Sequence, residues 1–169
     1  YLTGHPIDEY EEELKVMVPN RIVNLRPGKD AETVSGMVVG MRIMKNKRGD
    51  SFAFLTLDDK SGRIELSVWA DKYNAYREIL AKDALLVVKG AVSEDSFTGG
   101  LKMVAESIQS IYEARCSKLR RLELNITAGS DDWVEQVHTT LSGFKDGNCA
   151  VTVDYHQPHA SGTLKLGSH

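Results

Sequence analysis

Lys45, Lys47 and Arg48 put three cations within four positions, and two phenylalanines separated by one residue, Phe52 and Phe54, follow at once. Cations on flexible stems neutralise phosphate oxygens, and flat rings stack on unpaired bases whatever their identity. A rigid support is needed to hold the rings beside the cations. The run 52–57 alternates in a way that suits a strand: with Ala53, Leu55 and Leu57 turned inward, Phe52, Phe54 and Thr56 turn outward. The opposite phase, reached by a one-residue slip or a bulge, buries both rings. The three cations equally suit a solvated turn that keeps the chain soluble.

The surrounding segment supplies the support. Apolar and β-branched runs at 33–44, 52–57, 63–69, 84–92 and 101–111 are bounded by Gly, Asp, Asn and Ser clusters, and a helix-like stretch occupies 71–81. This pattern reads as three strands, a helix and two strands. That is the element order of the OB-fold, a five-stranded barrel that binds single-stranded nucleic acid. The expected fold is therefore mainly β: an OB barrel over 32–112, preceded by a helix and linker over 1–31 and followed by a small α+β unit over 113–169 that is incomplete. In the third strand Ile64, Leu66 and Val68 form the inward set, leaving Arg63, Glu65, Ser67 and Trp69 outward. Trp69 either joins the stacking surface or caps the core beneath the helix. Lys102 either extends the basic rim or pairs with Glu106, and Phe97 is a further candidate contact in an otherwise acidic loop holding Glu94 and Asp95. Asp71 is expected to cap the helix, with Tyr73, Tyr76, Ile79 and Leu80 plugging the barrel.

Asp8 is expected to cap a short N-terminal helix with an acidic first turn, and 18–30 reads as an extended connector. After 112 the pattern restarts. Helix-compatible residues 113–121 precede a strand at 122–127, a helix capped by 130–132 and bearing Trp133, Val134, Val137 and Leu141, and strands at 149–155 and 162–166.

Composition narrows the chemistry. The net charge of −3 and the pI near 6.0 exclude a generally basic nucleic-acid binder. Within 32–112 eleven basic residues balance eleven acidic ones, so binding depends on where charges face and is expected to be weak and salt-sensitive. Catalytic and metal-ligating residues are expected to number none. Asp58-Asp59 is hairpin-turn chemistry within Asp-Asp-Lys-Ser-Gly, the five histidines lack metal spacing beyond the His156/His159 pair, and neither a phosphate-cradling glycine loop nor a nucleophile elbow occurs. Two cysteines without redox or ligand spacing argue for reduced thiols. No apolar run reaches the roughly 18 residues of a membrane span, so no membrane association and a cytoplasmic location are expected. A chain that starts at Tyr1 reads as a piece of a longer polypeptide.

Several stretches resemble the C-terminal part of the bacterial replicative DNA polymerase III alpha family. They are Tyr-Leu-Thr-Gly-His-Pro-Ile-Asp-Glu-Tyr at 1–10, Ser-Gly-Met-Val at 35–38, Lys-Arg-Gly at 47–49, Thr-Leu-Asp-Asp-Lys-Ser-Gly-Arg at 56–63 and Phe-Thr-Gly-Gly-Leu-Lys-Met at 97–103. The resemblance implies an OB domain that handles single-stranded template DNA, next to a terminal domain that contacts the tau subunit of the clamp loader. The magnesium-dependent polymerase site and the sliding-clamp motif would lie upstream, so no cofactor is expected in this stretch. Phe-Leu-Thr-Leu-Asp-Asp at 54–59, followed by Ser-Gly, is also similar to the anticodon-binding barrels of aspartate-type tRNA synthetases, where the phenylalanine matching Phe54 stacks on a base. The binding residues implied are Lys45, Lys47, Arg48, Phe52, Phe54, Trp69 and Lys102, with single-stranded DNA and replisome proteins as partners. A protein-docking surface is the competing expectation, motivated by the neutral charge balance. A nuclease built on Asp58-Asp59 is a distant third.

Overall fold

The computed structural model describes residues 6–96, 98–127, 132–144, 147, 149–157 and 160–166. The chain divides into two compact units, Tyr1–Cys116 and Ser117–His169.

In the first unit five strands close into a barrel: β1 (Ala31–Lys45), β2 (Ser51–Asp58), β3 (Arg63–Val68), β4 (Leu85–Glu94) and β5 (Leu101–Ser110), in the order β1-β2-β3-β5-β4. All pairings are antiparallel except β3 with β5, the parallel seam that seals the barrel. β1 is long because it serves two neighbours: residues 31–37 pair with β4 and 37–45 pair with β2, with the register shifting between Val38 and Gly40. The strand bends there and carries the first hairpin beyond the barrel wall. A second shift falls between Lys89 and Gly90, where a Cβ on Gly90 would stand 2.1 Å from the Val104 carbonyl oxygen. Only glycine permits that approach.

The barrel is filled by the inward phase of every strand. Leu55, Leu57, Ile64, Leu66, Leu86, Met103 and Ile108 are fully buried. Each contributes roughly 1.5–3 kcal/mol of hydrophobic stabilisation. α2 (Ala70–Tyr76) and the turns after it lay Tyr73, Tyr76, Ile79 and Leu80 against this core. The expected plug forms, but the helix stops at Tyr76 and Asp71 is not its cap: Trp69, in extended backbone, occupies the N-cap position without a side-chain cap bond. Asp71 thus falls inside the first turn, where its charge suits the helix dipole.

The connector is more structured than its Pro and Gly content implies. A 3-10 turn at Ile22–Asn24 delivers Ile22 and Leu25 into the barrel core. Asp59, only 6% exposed, locks it in place: its carboxylate accepts from the Ile22 N–H (2.9 Å), the Ser61 N–H (2.9 Å), the Ser61 hydroxyl (2.6 Å) and the Gly62 N–H (3.1 Å), with Arg21 Nε at 3.5 Å. Ahead of it, a 3-10 turn (Pro6–Tyr10) leads into α1 (Glu11–Met17), whose N-cap is Tyr10 rather than Asp8. Asp8 is drawn away by Lys60 of the β2–β3 turn. α1 is pinned to α3 (Ile111–Lys118) by a two-pronged Glu13–Arg115 pair, and Arg115 also covers the Tyr10 ring at 5.3 Å. α3 starts with a capping box, in which the Ser110 hydroxyl accepts from the Glu113 N–H and the Glu113 carboxylate accepts from the Ser110 N–H.

In the second unit β6 (Arg121–Ile126), α4 (Trp133–Leu141), β7 (Ala150–Gln157) and β8 (Ala160–Leu166) give a three-stranded sheet ordered β6-β7-β8, parallel between β6 and β7 and antiparallel between β7 and β8. Leu122, Leu124, Val151, Val153, Leu164 and Leu166 share one face by register. α4 is the single helix laid against it among the described residues, with Trp133 stacked on Tyr155 at 5.7 Å. A groove of about 270 Å³ lies between Trp133, Val137 and Leu141 and the strand residues Val153, Leu164 and Leu166. Leu164 is 54% exposed, so the apolar face is only partly covered. Of the expected helix cap at 130–132 only Asp132 is among the described residues; it holds the N-cap position of α4 without a side-chain cap bond, its carboxylate accepting instead from Gln136 Nε2 at 2.7 Å.

Candidate nucleic-acid interface

The β2 phase is the one the alternation favours. Ala53, Leu55 and Leu57 are 0% exposed, so Phe52, Phe54 and Thr56 stand on the outer face. Register then sets their neighbours. Phe54 lies between Arg42 on β1 and Ser67 on β3, while Phe52 faces Met44 on β1 one pair from the end of the hairpin. Trp69 follows β3 directly, and its ring is 5.6 Å from Phe52 and 6.2 Å from Phe54. It does not cap the core: it is 47% exposed and belongs to the outer aromatic cluster. Phe52 and Phe54 meet edge to face at 5.6 Å, an arrangement that fixes both rings against the sheet. Three aromatic rings thus form one patch, with Trp69 the most open to solvent. Ser67 keeps its outward register yet is 4% exposed.

The cations sit at the rim. Lys45 ends β1, and the loop that follows is organised by Asn46, whose side-chain oxygen accepts from the Arg48 and Asp50 N–H groups at 2.8 and 2.9 Å. Gly49 supplies the left-handed turn at φ 90°. Lys45, Lys47 and Arg48 are all exposed, and no ion pair joins any of them to another described residue. Their charge is available at the edge of the aromatic patch. Lys102 behaves differently. It stands in register with Glu65 on the outer face, and its ammonium lies 3.9 Å from Asp95, not beside Glu106. The acidic loop partner, not the strand neighbour, takes this charge.

Arg42 escaped the sequence reading, which counted it only as a charge. Its guanidinium carbon stands 5.7 Å from the Phe54 ring centre, and its Nη2 donates to Glu65 Oε2 at 3.2 Å. The signal was present in the alternation, because Arg42 and Met44 share the outward phase of β1.

The other candidates resolve into structure. Asp58 accepts from the Lys60 N–H at 2.8 Å and from Arg63 Nε at 2.7 Å, and Asp59 is consumed by the junction described above. The pair is engaged in turn bonding. Tyr73 and Tyr76 pack on the core. Phe97 and His159 lie outside the described residues. Among the described residues no group of three or more His, Cys, Asp or Glu is placed to hold a metal ion, and no helix is long and apolar enough to cross a membrane. The charges with displaced titration are remote from the patch. Hydrogen bonding to Arg115 lowers the Glu13 carboxyl below its ordinary range, and hydrogen bonding to Asp8 raises the Lys60 ammonium.

Comparison with known proteins agrees with the architecture. Residues 32–111 match a family model described as an OB-fold nucleic acid binding domain. Over 169 residues, 99% of this chain, the sequence is 41% identical to DNA polymerase III subunit alpha of Pseudomonas fluorescens, covering 14% of that protein. The Escherichia coli K12 protein of the same name is 36% identical over 173 residues, again 99% of this chain and 15% of the relative. The chain therefore spans 14–15% of the length of these relatives. Among solved structures, a replication protein A domain from Methanococcus maripaludis aligns with 22% identity and a TM-score of 0.45 over 54% of this chain and 93% of that one. Entamoeba histolytica asparaginyl-tRNA synthetase aligns with 17% identity and a TM-score of 0.45, over 54% of this chain and 22% of that one.

Proposed function

From the premise that this chain belongs to the DNA polymerase III alpha family, with an OB-fold nucleic-acid-binding domain over residues 32–111, we propose that the barrel lays single-stranded template DNA across its outer face during replication. Phe54, Phe52 and Trp69 are the stacking surface, and Lys45, Lys47 and Arg48 hold the phosphates entering or leaving it. Lys102 is a minor contributor, because Asp95 shares its charge. The observation that carries this reading is the coincidence of an outward-facing three-ring patch, Trp69 exposed and Phe52 and Phe54 half-buried, with cations that have no described ion-pair partner. Stacking supplies sequence-tolerant affinity, and the cations supply salt dependence. Nucleotidyl transfer, with its magnesium, is assigned to the longer polypeptide rather than to these residues, as are contacts with the sliding clamp. Contact with the clamp-loader tau subunit is assigned to the second unit.

The test is a fluorescence-anisotropy titration of the chain carrying Lys47→Glu and Arg48→Glu. For a single strand the slope of log affinity against log salt is about 0.7 per phosphate neutralised, so losing two cations flattens it by more than one unit. An unchanged slope refutes the assignment. A second reading, in which the same face docks a neighbouring protein domain, draws on the even charge balance and the Lys102–Asp95 pairing. It is favoured if Phe54→Ala weakens capture of a replisome partner while leaving single-strand affinity unchanged.

A further inference from the structure

Charge around the aromatic patch is sorted. The loop cations Lys45, Lys47 and Arg48 have no ion-pair partner among the described residues, whereas Arg42 on β1 and Lys102 on β5 are each held by a carboxylate, Arg42 by Glu65 at 3.2 Å and Lys102 by Asp95 at 3.9 Å; Lys89, on β4, is exposed without such a partner. The Arg42–Glu65 pair also has an unusual position. Arg42 is opposite Phe54 on β2, and Glu65 is opposite Thr56, so the pair reaches from β1 to β3 across the strand that carries the stacking rings. Its guanidinium at the same time stands over the Phe54 ring at 5.7 Å. A base coming to lie on that ring meets the guanidinium first.

We infer that Glu65 is a positioning residue that holds Arg42 against Phe54, and that a strand, on binding, takes the guanidinium from the carboxylate onto a phosphate. The inference rests on the single-strand reading above. Its chemistry is that of competing acceptors. A guanidinium fork fits phosphate as well as carboxylate, and an exposed ion pair such as this one, with side chains 70% and 42% accessible, is weak enough to be exchanged. Because Arg42 sits over the ring, stacking of the base and departure of the guanidinium are one event. Glu65 thereby lowers resting affinity and keeps one cation in reserve for a correctly seated strand.

Glu65→Gln keeps the shape of the side chain and removes its charge. In the 169-residue chain it is expected to tighten binding of a fluorescein-labelled thymidine oligonucleotide about two- to fivefold at low ionic strength, the range an exposed ion pair commands. The log-log salt slope is expected to stay the same, because the guanidinium reaches the same phosphate in both chains, whereas Arg42→Ala flattens it by about 0.7, the value of one phosphate contact on a single strand. In an Arg42→Ala background Glu65→Gln is expected to leave affinity unchanged, since no guanidinium remains to be released. The same affinity gain in both backgrounds overturns the inference and makes Glu65 a simple through-space repulsion. Weaker binding by Glu65→Gln also overturns it, by showing a direct carboxylate contact with the strand. Binding that needs Phe54 but ignores Glu65→Gln defeats this inference alone. Failure of the unmodified chain to bind any single strand defeats the platform reading and this inference together.

Discussion

Truncating Phe54 to alanine is the sharpest perturbation of the platform. The side chain is half-buried on the outer face, with one edge against Phe52 at 5.6 Å, another near Trp69 at 6.2 Å, and the Arg42 guanidinium over it at 5.7 Å. It touches none of the fully buried core, whose inward phase on β2 is Ala53, Leu55 and Leu57. The cost to the fold is therefore below the roughly 3–5 kcal/mol of a fully buried Phe→Ala change. The cost to binding is one base's stacking, about 1–3 kcal/mol. At about 1.4 kcal/mol per decade, affinity falls at least about fivefold and centrally about thirtyfold. Loosening Phe52 and Trp69, which lean on the lost ring, pushes the effect toward the upper end. The assay is anisotropy titration of a labelled oligonucleotide at low salt, with thermal melting as the check on folding. Phe54→Trp should retain binding, whereas Phe54→Leu, which keeps apolar bulk without a π face, should lose most of it. Full affinity in Phe54→Ala or in Phe54→Leu would refute stacking as the source of binding.

Other residues make separate, non-overlapping predictions. Asp59→Ala leaves the buried Ile22 N–H and the turn N–H groups of Ser61 and Gly62 without their acceptor, which should destabilise the first unit by roughly 2–3 kcal/mol in urea denaturation. Gly90→Ala drives a Cβ into the Val104 carbonyl and should cost at least about 1–3 kcal/mol in the same assay. Glu13 is held below its ordinary pKa by its bond to Arg115, so its contribution is complete above the unfolded carboxyl value near 4.5 and is lost as pH falls through the lowered folded value. Thermal melts between pH 6 and pH 3 should show a smaller acid-side loss for Glu13→Gln than for the unmodified chain, with no difference in slope above about pH 5.

What the sequence disclosed and what it withheld have a common physical explanation. Period-two alternation in Ala53, Leu55 and Leu57 and in Ile64, Leu66 and Val68 is enforced by the barrel interior, so strand identity and facing were legible. The turn role of Asp58-Asp59 was legible because short acidic side chains bond their own backbone. Its second role was not, since the Ile22 N–H it accepts from is 37 positions away. Asp8 and Asp71 look like helix caps locally, but Lys60 claims the first and the extended backbone at Trp69 starts its helix two residues earlier than the second requires. Ile22 and Leu25 carry no periodicity, so their entry into the core left no trace in the pattern. Lys102 found Asp95 across a loop closure, and Arg42 found Glu65 across an intervening strand. Such side-chain pairings depend on register and curvature, which one-dimensional alternation does not encode.

The central claim is that unpaired bases, and not duplex, lie on the rings beside the loop cations. A salt series comparing a single strand with a duplex of equal length, using the 169-residue chain, tests it most directly. The account predicts preference for the single strand and a log-log slope near −3, the value for four phosphate contacts made by Lys45, Lys47, Arg48 and the released Arg42 at about 0.7 each. Equal or tighter duplex binding, or no single-strand binding even at low ionic strength, would contradict it.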